Sequence, residues 1–138
     1  MNKEIVLYTE ALSLRDLGFK ENCFGFYNIA GTFVPDYNVT IENINKLELK
    51  DCCLAPTYLA VLRWFREVHH IDGWVVPYHT LRGQRYGIMI EGDNSGADQD
   101  SDFESFEEAE LHLVQLLIKI LIDHNTEAEW MSSSSPQK

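Results

Sequence analysis

The segment spanning residues 106 to 123, "FEEAELHLVQLLIKILID", constrains the fold more than any other part of the chain. Glu108, His112, Gln115, Lys119 and Asp123 recur at helical spacing and make a single polar stripe. At 100° per residue, the remaining apolar positions cover roughly 240° of the helix circumference. Ser105 and Glu108 stand three residues apart, the spacing of a capping box at a helix start. A helix that is apolar over so much of its girth has to be buried on most sides. Leu113, Leu116, Leu117 and Ile120 can face a sheet, which leaves Leu111, Val114, Ile118 and Ile122 as a second apolar flank. Either the N-terminal segment wraps that flank or a second copy of the chain does, and the pattern points to a homodimer with these four residues at its interface.

The other elements follow from spacing and punctuation. Thr9 reads as the N-cap of a short helix over "EALSLRDL", with Gly18 at its left-handed end. "NCFGFYN" and "TFVPDYNV" flank "IAG" as a hairpin, with Pro35 marking an edge or a bulge. Residues 40 to 54 leave room for one more short strand at 46–49. Pro56 suits the first position of a second helix, on which Tyr58, Val61, Leu62, Phe65 and Val68 share a face with Trp64 at its flank. "IDG" ends that helix. "WVVPYH" and "RYGIMIE" then flank "TLRGQ" as a second hairpin, in which Trp74, Val76, Tyr78, Tyr86, Ile88 and Ile90 are the expected core residues.

The resulting expectation is an α+β fold in which helices pack on an antiparallel sheet of about four strands from two hairpins, in the order αββ-αββ-α. Residues 1–123 read as one domain containing an acidic loop at 91–104. Residues 124–138, with their four-serine run, read as a disordered tail. The two helix-then-hairpin halves share too little sequence to claim a duplication.

The net charge of -11 is local. Residues 91 to 110 hold nine of the 22 acidic residues and no Lys or Arg, so elsewhere 13 acids face 11 bases. Such a block repels phosphates, and nucleic acid is not an expected partner. No run of roughly 20 apolar residues or secretory signal is visible, so no membrane association is expected. Three cysteines, two of them adjacent (Cys52 and Cys53), make no disulfide framework and suggest a reducing cytoplasm.

Signatures of chemistry are weak throughout. His69 and His70 are adjacent rather than one turn apart, so metal ligation is not expected; both suit the negative end of a helix. Cys53 lies near a helix start, but those histidines stand at the far end of a helix about 20 Å long. "DQDSDFE" begins like a calcium loop but has Phe103 and Ala109 where Gly and Glu are needed. No phosphate-binding or dinucleotide motif is present, and no catalytic residue, metal or cofactor is expected. The one basic group, Arg63, Arg66, Arg82 and Arg85 with His70 and His79, is a candidate surface for an anion or an acidic partner, unless it pairs with the acidic stretch.

Four stretches, "LRDLGFKENCFGFYN", "APTYLAVLRWFREVHHI", "RYGIMIEG" and "SFEEAELHLVQLLIKIL", resemble a family of small uncharacterised bacterial proteins often encoded in prophage or mobile-element neighbourhoods. The resemblance covers roughly residues 9 to 122 and implies no assigned activity, cofactor or catalytic residue. The expected function is therefore that of a non-enzymatic accessory or protein-interaction protein with an unknown protein partner. Two alternatives stand beside it: a small-molecule or anion-binding protein or enzyme built on the Arg/His group, and an acidic nucleic-acid mimic that occupies a basic partner.

Overall fold

The computed structural model describes residues 4–40, 52–92 and 96–134, which form three helices and six strands. The first helix, α1 (Tyr8–Asp16), starts two residues earlier than its sequence suggests. Leu7 is its N-cap, and the Thr9 hydroxyl donates instead to Glu10 at 2.6 Å. Its end is as expected. Gly18 takes φ +96°, and the amides of Gly18 and Phe19 donate to the carbonyls of Arg15 and Leu14, closing the last turn.

The first sheet has three antiparallel strands, β1 (Cys23–Tyr27), β2 (Phe33–Val39) and β3 (Cys53–Leu54), in the order β2-β1-β3. Pro35 lies on the edge strand opposite Gly25, beside a shift in register, where its missing N–H breaks no ladder bond. The short strand expected at 46–49 lies outside the described residues.

Helix α2 (Tyr58–His69) is capped by Thr57, whose hydroxyl accepts from the Ala60 amide at 3.1 Å, so Pro56 sits just outside the helix. Its buried face is Tyr58, Val61, Trp64 and Phe65, while Val68 is exposed. The stripe leans toward Trp64 because Phe19, just past α1, packs edge-on against that indole at 5.3 Å.

The second sheet is a meander of β4 (Ile71–Thr80), β5 (Gly83–Gly92) and β6 (Gly96–Phe103). With six strands in two sheets, the expected single sheet of about four and the order αββ-αββ-α are both corrected. Residues 96–103, expected within a loop, pair with β5 from Gly92↔Gly96 to Tyr86↔Phe103. Asp98, Asp100 and Asp102 alternate at strand period, a signal that acidity conceals because Asp is poor in strands.

The sheet's core face also differs from expectation. Ile88 and Ile90 are buried, opposite Val75 and Gly73, whereas Trp74, Val76 and Tyr78 occupy the other face and are only half-buried. Gly73 is the reason. A Cβ there would stand 3.0 Å from Leu113 Cδ1 and 3.3 Å from Leu117 Cδ1, so the bare backbone lets the last helix settle onto this face.

That helix, α3 (Phe106–Ser134), runs well past the expected end at residue 123, so residues 124–134 are helix rather than tail. No Gly or Pro interrupts it before Pro136. Its start is capped as expected, with the Glu108 amide donating to Ser105 Oγ at 3.1 Å. It packs on β4 and β5, on α1 and on α2, within one contiguous core. The halves are not duplicates in topology either, since one sheet is ordered β2-β1-β3 and the other β4-β5-β6.

Gly25 offers a direct check on the packing of the first sheet. A Cβ there would stand 2.4 Å from the Phe33 ring and 2.7 Å from the Val34 carbonyl oxygen, and the latter is backbone that cannot swing away. Gly25→Ala is expected to cost about 1–3 kcal/mol of stability in urea unfolding followed by circular dichroism.

Candidate functional site

The six basic candidates do not assemble into a cleft. Arg63 and Arg66 are exposed on α2, and His70 is exposed at its end, in left-handed conformation with φ 58°. Arg82 lies at the tip of the β4–β5 hairpin, about 30 Å from His70 along ten residues of extended strand. His79 is exposed on β4. Arg85 is engaged by the acidic segment: its Nε donates to Asp102 Oδ1 at 2.7 Å, Nη2 donates to the Asp102 carbonyl at 3.0 Å, and Glu104 is 3.8 Å away. Asp102 accepts this role at φ 89°, a strained value for a residue with a side chain.

The second apolar flank of α3 is covered within the protomer. Val114 and Ile118 are buried, Leu111 is half-buried, and only Ile122 is exposed. Helix α1 supplies the cover, and Gln115 Nε2 donates to the buried Glu10 carboxylate at 2.9 Å across that contact. The apolar width of the helix therefore carries no inference of a second copy.

The cysteines and His69 belong to the core. Burial pushes the Cys23 thiol up to about 12 and Cys53 up to about 11, values at which almost no thiolate exists near neutrality. His69 packs against Trp64 at 4.6 Å and Phe65 at 6.0 Å, and its buried Nε2 has no hydrogen-bond partner. Burial, and next the neighbouring His70, hold its protonation below the usual histidine range. Among the described residues, no group of three or more His, Cys, Asp or Glu is arranged to hold a metal ion.

What the structure does bring together lies at the other end of α2. The N-terminal segment is pinned there by Ile5 pairing with Thr57, by the Val6 amide donating to Pro56 O at 3.0 Å, and by the Tyr58 amide donating to Glu4 O at 2.9 Å. The start of α3 arrives beside it. Between them lies a cavity of about 430 Å³ lined by Glu4, Thr57, Tyr58, Leu59, Phe106, Glu107 and Glu110. A second cavity of about 220 Å³ on the far side of Leu59 is lined by Asn22, Phe24, Ala60 and Arg63 among others. Leu59 is the ridge between the two, 79% exposed, with Phe24 at 66% and Phe106 at 43% on either flank.

The larger cavity is electrostatically loaded. Burial raises the Glu110 carboxyl above its usual range, and Glu107 and then Glu4 add to the effect. The Tyr58 phenol is pushed up to about 12, first by burial and next by Glu110, then Glu10 and Tyr27. Sequence reading passed over this site because its residues come from three separated segments, and Leu59 reads as one more apolar residue in a helix. A discoverable signal was present: Leu59 falls off the stripe formed by Tyr58, Val61 and Phe65. The acidic strand is a separate feature, whose backbone register places Asp98 and Asp100 opposite Ile90 and Ile88.

No described helix is long and apolar enough to cross a membrane. Comparison with protein-family models, with curated proteins and with solved structures gives no match.

Two outcomes test the structural roles of these side chains. In native protein at about pH 8, a thiol-specific chromogenic reagent is expected to leave Cys23 and Cys53 unmodified, whereas all three cysteines react in denaturant. For His69, the unfolded chain takes up a proton near pH 6.5 while the folded protein resists it. Its contribution is therefore fully present above that pH and is lost as pH falls toward the lower folded value. Thermal melts should show wild type losing more stability than His69→Phe between about pH 7.5 and about pH 5.5.

Proposed function

We propose that this chain is a non-enzymatic accessory protein of the prophage or mobile-element kind, acting in the cytoplasm by binding another protein. The observation that carries this reading is the Leu59 ridge. A leucine 79% in water, between two concavities and flanked by half-exposed phenylalanines, is the arrangement of an interface anchor waiting for cover. The surroundings fit the same reading, because charged groups rim the apolar centre: Glu4, Glu107 and Glu110 on one side, Arg63 on the other. Burial of the cysteines and His69 assigns those side chains to packing.

Selection of displayed peptides against the purified protein tests this. The expected result is a set of binders that lose about tenfold or more in affinity to Leu59→Asp, measured by titration calorimetry, while the melting temperature is unchanged. Binders indifferent to that substitution would sink the proposal.

A further inference from the structure

We propose that the larger cavity beside Leu59 is a subsite for an organic cation carried on an aliphatic stem, the side chain of a lysine or arginine in a basic segment of the partner protein. This rests on the interaction reading above and specifies the chemistry of its occupant.

Charge is the first argument. Of the seven lining residues three are glutamates, from the N-terminal segment (Glu4) and from the first turns of α3 (Glu107 and Glu110), and none is basic. Their charges already strain one another, since Glu107 and Glu4 both disfavour ionisation of Glu110. A cation seated among them relieves that repulsion, whereas an anion aggravates it.

The second argument is independent of charge. Tyr58 is only 6% exposed as a residue and lines the cavity, and its hydroxyl, which makes no hydrogen bond among those of the described residues, is not closed off from solvent. Nearly every buried tyrosine places its hydroxyl on a partner, as Tyr27 does by donating to the Val6 carbonyl. The Tyr58 phenol feels Glu110 more than any other charge and shares the cavity wall with it. An N–H donor entering the cavity meets an acceptor oxygen on each.

Shape and apolar lining complete the match. About 430 Å³ lies within the ordinary range of ligand cavities, ample for one long side chain with the backbone that carries it. Leu59 and Phe106 line the cavity and offer apolar wall for the methylene stem. A purely apolar occupant would leave the Tyr58 hydroxyl and Glu110 desolvated without partners. A divalent metal is a poor fit, because the carboxylates do not converge on one point.

The test uses two probes on the full chain. The first is N-acetyl-lysine N-methylamide, titrated against its norleucine counterpart and followed by amide chemical shifts. The second is the set of Leu59-dependent peptides from the selection above. The expected result is saturable movement of the Tyr58, Leu59 and Glu110 amides with the lysine probe and not with norleucine. Glu110→Gln and Tyr58→Phe are then expected to weaken binding about tenfold and about threefold, with undiminished melting temperatures. Selected peptides should be rich in Lys or Arg and lose affinity to Glu110→Gln by a similar factor.

Leu59-dependent peptides without basic residues, together with a silent lysine probe, overturn the cation subsite and leave the interaction reading standing. A lysine probe that binds through Glu110 without any Leu59-dependent peptide supports the subsite and overturns the interaction reading. Lysine binding indifferent to Glu110→Gln and Tyr58→Phe is diffuse surface attraction and overturns the subsite.

Discussion

Covering α3 is the constraint to which the rest of the molecule answers. A helix that is apolar around most of its circumference cannot rest on one surface, and here it receives three. The second sheet takes one side, and the close approach at Gly73 lets Leu113 and Leu117 reach the plane of β4. Helices α1 and α2 take the others. Full burial of leucines such as these is worth about 1.5–3 kcal/mol each, so losing one covering element would expose much of the stability of a small domain. Because α1 is needed as cover, the residues ahead of it are drawn across the molecule and pinned at the start of α2. The cavity beside Leu59 exists where that pinned segment meets the first turns of two helices.

Polar groups inside this arrangement are placed with economy. Glu10 is buried, and each of its carboxylate oxygens accepts one hydrogen bond, from Thr9 and from Gln115. The Gln115 bond crosses from α3 to α1 and fixes which face of each helix meets the other, a choice that apolar contact alone leaves loose. His69 is the contrasting case, since its ring is used for its shape against Trp64 and Phe65 while one nitrogen goes unpartnered. Tyr58 and Glu110 differ from His69 in bordering open space, on the wall of the larger cavity.

Much of the fold was legible because hydrophobic period and punctuation agree in it. Gly18 ended α1, Ser105 and Glu108 started α3, and Pro35 marked an edge strand, each for a local reason visible in the residues. What was hidden depended on partners. Gly73 looks like part of a turn, and its role as a landing site for Leu113 appears only when α3 is present. Trp74 and Tyr78 are bulky and β-favouring, so they attract attention as core, yet the face without them is the buried one. The third strand of the second sheet was masked by its acidity, and β3, only two residues long, is below the length at which period can be read. The candidate site was illegible for a related reason: Glu4, Leu59 and Glu110 are neighbours only through the topology.

One joint in the chain has a mechanical consequence. Helix α2 ends at His69 and β4 begins at Ile71, so His70 alone connects them. Its left-handed conformation and the bond from its amide to the Phe65 carbonyl leave that residue little rotational freedom. A twelve-residue helix is about 18 Å long, and here it is held at both ends, by the second sheet beyond His70 and by the N-terminal segment at Thr57 and Tyr58. Leu59 stands one residue past the second of these anchors, Tyr58. Its position over the cavity is thus set from both ends of the helix, and a load applied at the ridge passes into the N-terminal segment and the second sheet rather than into a hinge.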